Sequence, residues 1–274
     1  MSEPYQDLLG ATIRHLENLA AEGVRFVSIS PETLANLQNP PAPKRFAPPP
    51  VREPSPPTHA PQRSVTDKPA AFAELHRRAL ACTKCPNLAN SRKNVVFGVG
   101  SVDAQIMFIG EAPGADEDEQ GEPFVGKAGQ LLTRIIKAMG LTRESVYIAN
   151  ILKCRPDTPG QSAGNRKPTP EEMGTCIPFL HEQVDLIRPE VIVALGATAI
   201  EGLLGKTAGI SRLRGNWQSY RGIPLMPTYH PAFLLRNQAM SEKRKVWEDM
   251  LQVMEKRRMP ITDKQRAFFL TAVS

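Results

Sequence analysis

The chain's four thiols are Cys82, Cys85, Cys154 and Cys176. Two stand in a CxxC pair and two are remote, a spacing that uses every thiol in one four-thiolate metal site. Tetrahedral zinc and an iron–sulfur cluster both accept such a set, and spacing alone leaves the choice open. A second group of residues stands where short apolar runs end: Glu111 after AQIMFIG, Asn150 closing SVYIAN, and His230 after IPLMPTY. Singly, each reads as a turn former or a structural residue. Together they bring a carboxylate, an amide and an imidazole to one edge of a sheet, a set able to bind and polarise a small polar group. The segment GEAPGADEDEQGEPFVGKAGQLL, residues 110–132, is punctuated by glycine like a phosphate cradle, yet its Asp and Glu residues would repel phosphate. In HPAFLLRN, residues 230–237, a proline turn leads into Phe233, Leu234, Leu235 and Arg236. This reads first as the start of a core helix. The other reading is an apolar wedge with a phosphate-binding arginine, the device that pries open a base step.

The elements that must position these residues follow from hydrophobic pattern. Strands are predicted at 104–110, 145–150, 190–196 and 223–230, each a short apolar run. Helices are predicted over 70–82, 128–140 with Gly140 as its cap, 170–187, 197–205 and 242–258. This alternation predicts an α/β fold: a three-layer α/β/α sandwich around a central, mostly parallel four-stranded sheet. Ligands then gather past the carboxyl ends of the strands. Leu9, Ile13, Leu16 and Ala20 recur at helical spacing, so residues 1–24 are expected to form an amphipathic helix. Residues 25–70 are expected to be a disordered linker, with ten prolines in the 22 residues from Pro40 to Pro61. The main domain is expected over 71–258 and a C-terminal tail over 259–274.

The 274 residues carry a net charge of +6, and the first 70 are balanced at seven basic and seven acidic residues. The remainder holds the whole basic excess, which fits a polyanionic partner. No run of 18 apolar residues suggests a membrane span, and the N-terminus lacks an apolar signal core. A cytoplasmic location is expected, where structural disulfides are disfavoured.

GEAPGADEDEQGEPFVGKAGQLL, YIANILKCRP, NRKPTPEE with the following Cys176, and HPAFLLRN, taken in order with the four cysteines, resemble the family 4 uracil-DNA glycosylases. The resemblance covers roughly residues 73–256. It implies an enzyme that flips uracil out of DNA and hydrolyses its N-glycosidic bond, leaving an abasic site for base excision repair. It further implies that Phe124 stacks on the uracil ring, and that the Asn150 amide pairs with N3–H and O4. His230 would stabilise negative charge at O2, and Glu111 would orient a water toward C1′. Gly110 and Ala112 would line the base site, helped by backbone N–H groups of a nest over 112–114, and Glu117 would wall off the C5 position against a thymine methyl. Leu234, Leu235 and Arg236, with Arg155 and Arg166, would contact DNA. Cys82, Cys85, Cys154 and Cys176 would hold a [4Fe–4S] cluster, structural zinc being the alternative. Residues 155–175 contain no histidine, unlike a related branch that forms a covalent DNA adduct through one there. Glu111 is acidic where a broader-specificity branch lacks an acid.

The implied partner is uracil-containing DNA, single- or double-stranded, acted on by a monomer; a protein partner would use the N-terminal helix. A competing reading is a non-catalytic iron–sulfur DNA-binding module, a damage sensor or polymerase-associated factor. The intact set of Glu111, Phe124, Asn150 and His230 argues against it. A zinc-bound nucleotide hydrolase is a third reading, and the sequence offers no His/Asp cluster for an open catalytic metal.

Overall fold

The computed structural model describes residues 68–156, 166–205 and 209–270. The expected N-terminal helix and all but the end of the proline-rich linker lie outside the described residues. The fold begins inside that linker's expected span, with helix α1 (Lys68–Leu80) and a short α2 (Pro86–Ser91) flanking the Cys82–Cys85 loop. Strands β1 (Val99–Gly100) and β2 (Ile106–Gly110) follow, then α3 (Ala115–Gln120), α4 (Lys127–Ala138) and β3 (Tyr147–Asn150). Next come α5 (Pro170–Ile187), β4 (Val191–Leu195), α6 (Ala197–Leu204), α7 (Ile210–Leu213), β5 (Gln218–Tyr220) and β6 (Ile223–Thr228). The chain closes with α8 (Pro231–Arg236), α9 (Met240–Lys256) and α10 (Asp263–Arg266).

The sheet order is β1-β3-β2-β4-β6-β5. The four predicted strands are its parallel centre, β3-β2-β4-β6. Two short antiparallel strands extend it at the edges, β1 on β3 and β5 on β6. At two and three residues these are too brief for periodicity to register.

The central strands read as continuous apolar runs because both faces are covered. Met107, Ile109, Ala149, Ile192 and Leu225 pack on one side with Leu180 and Val184 of α5 and Ile200 of α6. Their neighbours in sequence, Ile106, Phe108, Ile148, Val193 and Met226, pack on the other with Ile136 of α4 and Trp247 and Met250 of α9. Alternate residues thus feed two cores, the three-layer arrangement expected. Helix α4 ends in a Schellman turn at Gly140 (φ 82°), where Gly140 N–H donates to Lys137 O (2.9 Å) and Leu141 N–H to Ile136 O (3.1 Å). Helix α5 spans the predicted residues, opened by Thr169, whose hydroxyl accepts from Glu172 N–H while the Glu172 carboxylate accepts from Thr169 N–H.

The stretch assigned as a C-terminal tail is docked over residues 259–270. Trp247 Nε1–H donates to Gln265 O (2.6 Å), Gln265 Nε2 to Ala138 O (2.8 Å), and Phe268 packs on the α4/α9 core. Its apolar residues, Met259, Ile261 and the run Ala267–Leu270, show neither a helical nor a strand period that would announce this in sequence.

One buried ion pair secures the end of β6. The fully buried Asp249 of α9 accepts from Arg214 at 2.5 and 3.1 Å and from Thr228 Oγ1 at 2.6 Å. Arg214 also donates to Lys245 O (2.5 Å). Removing Asp249 leaves the partly exposed Arg214 without its carboxylate and the buried Thr228 hydroxyl without its acceptor. Asp249→Ala is therefore expected to lower unfolding stability by about 1–3 kcal/mol, read from the shift of a urea denaturation midpoint.

Candidate active site

Parallel pairing sets Gly110 at the end of β2 directly beside Asn150 at the end of β3. The ladder continues one step further, with Ile151 N–H donating to Gly110 O (3.0 Å) and Leu152 N–H to Glu111 O (3.1 Å), which fixes the backbone of the half-buried Glu111 at the sheet's carboxyl edge. Asn150 is 2% exposed, and its Oδ1 is a buried acceptor without a hydrogen-bond partner among the described residues. Leaving such a group unmet costs about 1–3 kcal/mol, so this oxygen is open to a donor that arrives from outside, water or ligand. A Cβ on Gly110 would overlap both Asn150 Oδ1 and the tip of the Phe124 ring. Glycine here is what lets the amide and the aromatic ring approach each other.

Phe124 is 6% exposed and adopts a left-handed backbone, φ 55°. Its carbonyl lies so close to α4 that a Cβ on Gly129 would overlap it. The acidic segment before it is the short helix α3, unseen in sequence because its residues have no apolar face. Glu117 shapes this turn: its Oε2 accepts from Gly114 N–H (3.0 Å), and its Oε1 from Val125 and Gly126 N–H (2.9 Å each). The carboxylate expected as a wall of the base site is thus engaged on both oxygens by backbone, and Glu117 positions the loop. Gly114's amide, expected in a nest, is taken by the same contact. Ala112 is half-buried against the core and Pro113 has no N–H to offer. Asp118 is buried and accepts from the N–H groups of Lys93 (3.0 Å) and Asn94 (3.2 Å), tying the segment after α2 to α3.

His230 caps α8. Its Nδ1 accepts from Ala232 N–H at 3.1 Å, and its ring lies 5.6 Å from the Phe124 ring at 33°. Gly196 sits against it, with space for a Cβ only 3.0 Å from His230 Cβ. Burial, and then the positive charge of Arg236, push the imidazole pKa down to about 4. Part of the residue still reaches solvent, but even a smaller depression leaves the ring neutral at physiological pH. With Nδ1 an acceptor, the neutral ring carries its proton on Nε2, so the group is a hydrogen-bond donor without a net charge.

A second centre lies beside this one. Cys82, Cys85, Cys154 and Cys176 line one small cavity with Leu88, Arg92, Leu152 and Thr175, and all four thiols are free. Among the described residues no group of three His, Cys, Asp or Glu is drawn together as ligands of an ion would be. Arg92 Nη1–H donates to Cys154 Sγ (3.0 Å) and Arg92 Nη2–H to Cys82 O (2.8 Å), bridging the close pair to a remote cysteine. Lys153 N–H donates to Cys176 Sγ (3.3 Å). Burial pushes the Cys176 thiol up to about 11, and burial raises Cys85 and Cys154 as well. Thiolates there need a bound cation to stabilise them, and a donor set of four sulfurs suits a thiophilic metal group.

The family model for the uracil DNA glycosylase superfamily matches residues 97–251, which include every element from β2 to β6. The type-4 uracil-DNA glycosylase of Thermotoga maritima is 48% identical over 180 residues, 64% of this chain and 89% of that one. That of Archaeoglobus fulgidus is 42% identical over 178 residues, 62% of this chain and 86% of that one. The chain belongs to the uracil DNA glycosylase superfamily, in its type-4 branch. A type-5 uracil-DNA glycosylase of Pyrobaculum aerophilum is more distant, 27% identical over 194 residues that span 59% of this chain and 82% of that one.

Within this superfamily member, Gly110, Phe124, Asn150 and His230 come together at the carboxyl edge of the sheet, with Glu111 next to Gly110. The expected DNA contacts are scattered. Leu234 is 5% exposed and packs with Tyr229 and Val246, so its first reading, as core, holds. Leu235 is half-buried and Arg236 exposed, and these two are what α8 can offer to DNA. Arg155 and Arg166 lie on the thiolate side, where Arg166 pairs with Glu172 at 2.5 and 2.8 Å. Sequence reading missed Lys153. Its buried Nζ donates to Asn150 O (2.9 Å) and Gln183 Oε1 (2.6 Å), while Gln183 Nε2 donates to Phe97 O and Tyr147 OH (2.9 Å each). A lysine inside the apolar run ILKC was the one available signal.

The tautomer and pKa of His230 make a direct prediction. The imidazole resonances of His230 should stay neutral from about pH 8 down to about pH 5.5 in a two-dimensional NMR titration, and a midpoint near the ordinary 6.5 would contradict the geometry. Because the folded value lies below the unfolded one, protonation favours the unfolded chain; stability should fall as pH drops from 6.5 toward about 4.

Proposed function

We propose that this protein removes uracil from DNA by hydrolysing the bond between C1′ and N1, leaving an abasic site, and that the unpartnered Asn150 amide is the base reader. This amide carries the reading. Its buried Oδ1 lacks a donor, and uracil N3–H is one; its Nδ2 can donate to O4. Cytosine presents an acceptor at N3 and a donor at C4, the reverse pattern, and is rejected. Phe124 stacks beneath the flipped ring, and the cost of flipping is lowest for mismatched or single-stranded uracil.

As the C1′–N1 bond breaks, its electron pair moves into the uracil, largely to O2, and the sugar becomes cationic. His230, neutral and donating from Nε2, stabilises the O2 charge as it develops, an oxyanion-hole contribution. Glu111 orients a water whose oxygen bonds to C1′, receives the water's proton, and favours the cationic sugar electrostatically. Leu235 and Arg236 approach the strand beside the flipped nucleotide, and Arg155 and Arg166 contribute positive charge toward the backbone.

Cys82, Cys85, Cys154 and Cys176 hold a [4Fe–4S] cluster, a reading supported by the single cavity that all four thiols line. When bound, the cluster supplies a structural cross-link between the Cys82–Cys85 loop and the segment from Cys154 to Cys176. Four free thiols suit a reducing compartment such as the cytoplasm.

The test is a labelled oligonucleotide with one uracil, single- or double-stranded, incubated with the protein and then treated with alkali. Cleavage at the uracil is expected, and its absence from folded, metal-loaded protein would refute the activity. Asn150→Asp should lower the rate by about 10²-fold or more, or move it toward cytosine. For the metal, about four irons and four sulfides per chain with broad visible absorbance are expected; one zinc per chain would refute the cluster.

A further inference from the structure

The pocket's aromatic floor rests on a backbone that a phenylalanine does not choose unaided. A left-handed φ of 55° is uncommon for a bulky residue, so neighbouring groups must hold it. Of the three peptide groups from Pro123 to Gly126, Glu117 holds the last two through the N–H groups of Val125 and Gly126. The carbonyls of the first two are held by a single side chain from a distant loop. Arg143, on the connection between α4 and β3, donates from Nη1 to Phe124 O (3.0 Å) and from Nη2 to Pro123 O (2.7 Å). Nη1 also reaches Thr133 Oγ1 of α4 (3.3 Å). The planar fork of a guanidinium matches two successive carbonyls, a geometry lysine cannot copy with one point charge. From below, α4 presses on the same carbonyl through Gly129.

We propose that Arg143 is a positioning residue for base recognition: its fork clamps the Pro123 and Phe124 carbonyls, fixes the left-handed turn, and so holds the Phe124 ring against Gly110, Asn150 and His230. The inference rests on the reading that Phe124 stacks on uracil. Arg143 itself touches no substrate. Released from the clamp, the turn relaxes toward ordinary φ, and the ring leaves the plane in which a flipped base would meet both it and the Asn150 amide. Binding of the base then suffers more than binding of the DNA backbone.

The experiment compares Arg143→Ala, Arg143→Lys and Phe124→Leu in the full-length, cluster-loaded protein. Three quantities are read: single-turnover uracil release, inhibition by free uracil, and affinity for uracil-free DNA. Arg143→Ala should lose on the order of 10- to 100-fold in both the turnover rate and free-uracil affinity, with uracil-free DNA bound as before. Arg143→Lys, able to satisfy one carbonyl, should recover part of both losses. The double variant of Arg143→Ala with Phe124→Leu should lose little beyond Phe124→Leu alone, because the two act through one ring. Arg143→Ala with unchanged turnover and uracil affinity, beside a Phe124→Leu variant that has lost both, overturns the clamp. Unchanged turnover and affinity in Phe124→Leu overturns the stacking reading instead. If Arg143→Ala fails to fold, Arg143→Lys decides: full turnover and uracil affinity there show that the fork is not required.

Discussion

Both faces of the parallel sheet are buried, and this constraint governs where chemistry can occur. Helices cover alternate residues of every central strand, so the strands carry almost only apolar side chains along their length. The polar groups left for chemistry gather at the carboxyl edge, where the chain turns from strand to helix. The hydrogen-bonded register then does the rest. Gly110 and Asn150 are neighbours because β2 and β3 pair in parallel, residue by residue, and His230 joins them from the turn after β6.

At that edge the structure tolerates features it would not carry in its core. Asn150 keeps a buried oxygen unpaired, Phe124 keeps a left-handed backbone, and an imidazole is held neutral by burial. Each is unfavourable in isolation. They persist because well-satisfied contacts surround them: Glu117 with three backbone donors, Lys153 between Asn150 and Gln183, and Asp249 with Arg214 and Thr228 below His230. Lys153 also stands between the two centres, its side chain on Asn150 and its amide on Cys176. The thiol cavity and the sheet edge at Asn150 therefore share one buried connection.

Much of the frame was legible from hydrophobic pattern. Four apolar runs became the four parallel strands, and helix α5 begins and ends where Thr169, Pro170 and the apolar spacing predict. The short edge strands, α3 and the docked residues 259–270 were not legible, because segments of two to six residues, or one short apolar run after a polar stretch, carry no period. Glu117 and Asp118 illustrate the limit for single residues. Nothing in ADEDEQ distinguishes a carboxylate that faces water from one that gathers three backbone donors, since that depends on where the chain returns.

The sequence by itself determined which residue types were available at each strand end: an amide, an imidazole, a carboxylate, and four thiols whose spacing allowed a single metal site. These are covalent facts, and the strand pattern orders them along one edge. Only the tertiary structure decided the state in which they act. Whether His230 is charged follows from burial and from the Ala232 amide at its Nδ1. That Asn150 Oδ1 lacks a partner among the described residues follows from which groups failed to reach it, and that the Phe124 ring lies against Gly110 and His230 follows from a turn held by residues distant in sequence. Protonation, satisfaction and strain depend on every neighbour in space, and sequence lists only neighbours along the chain.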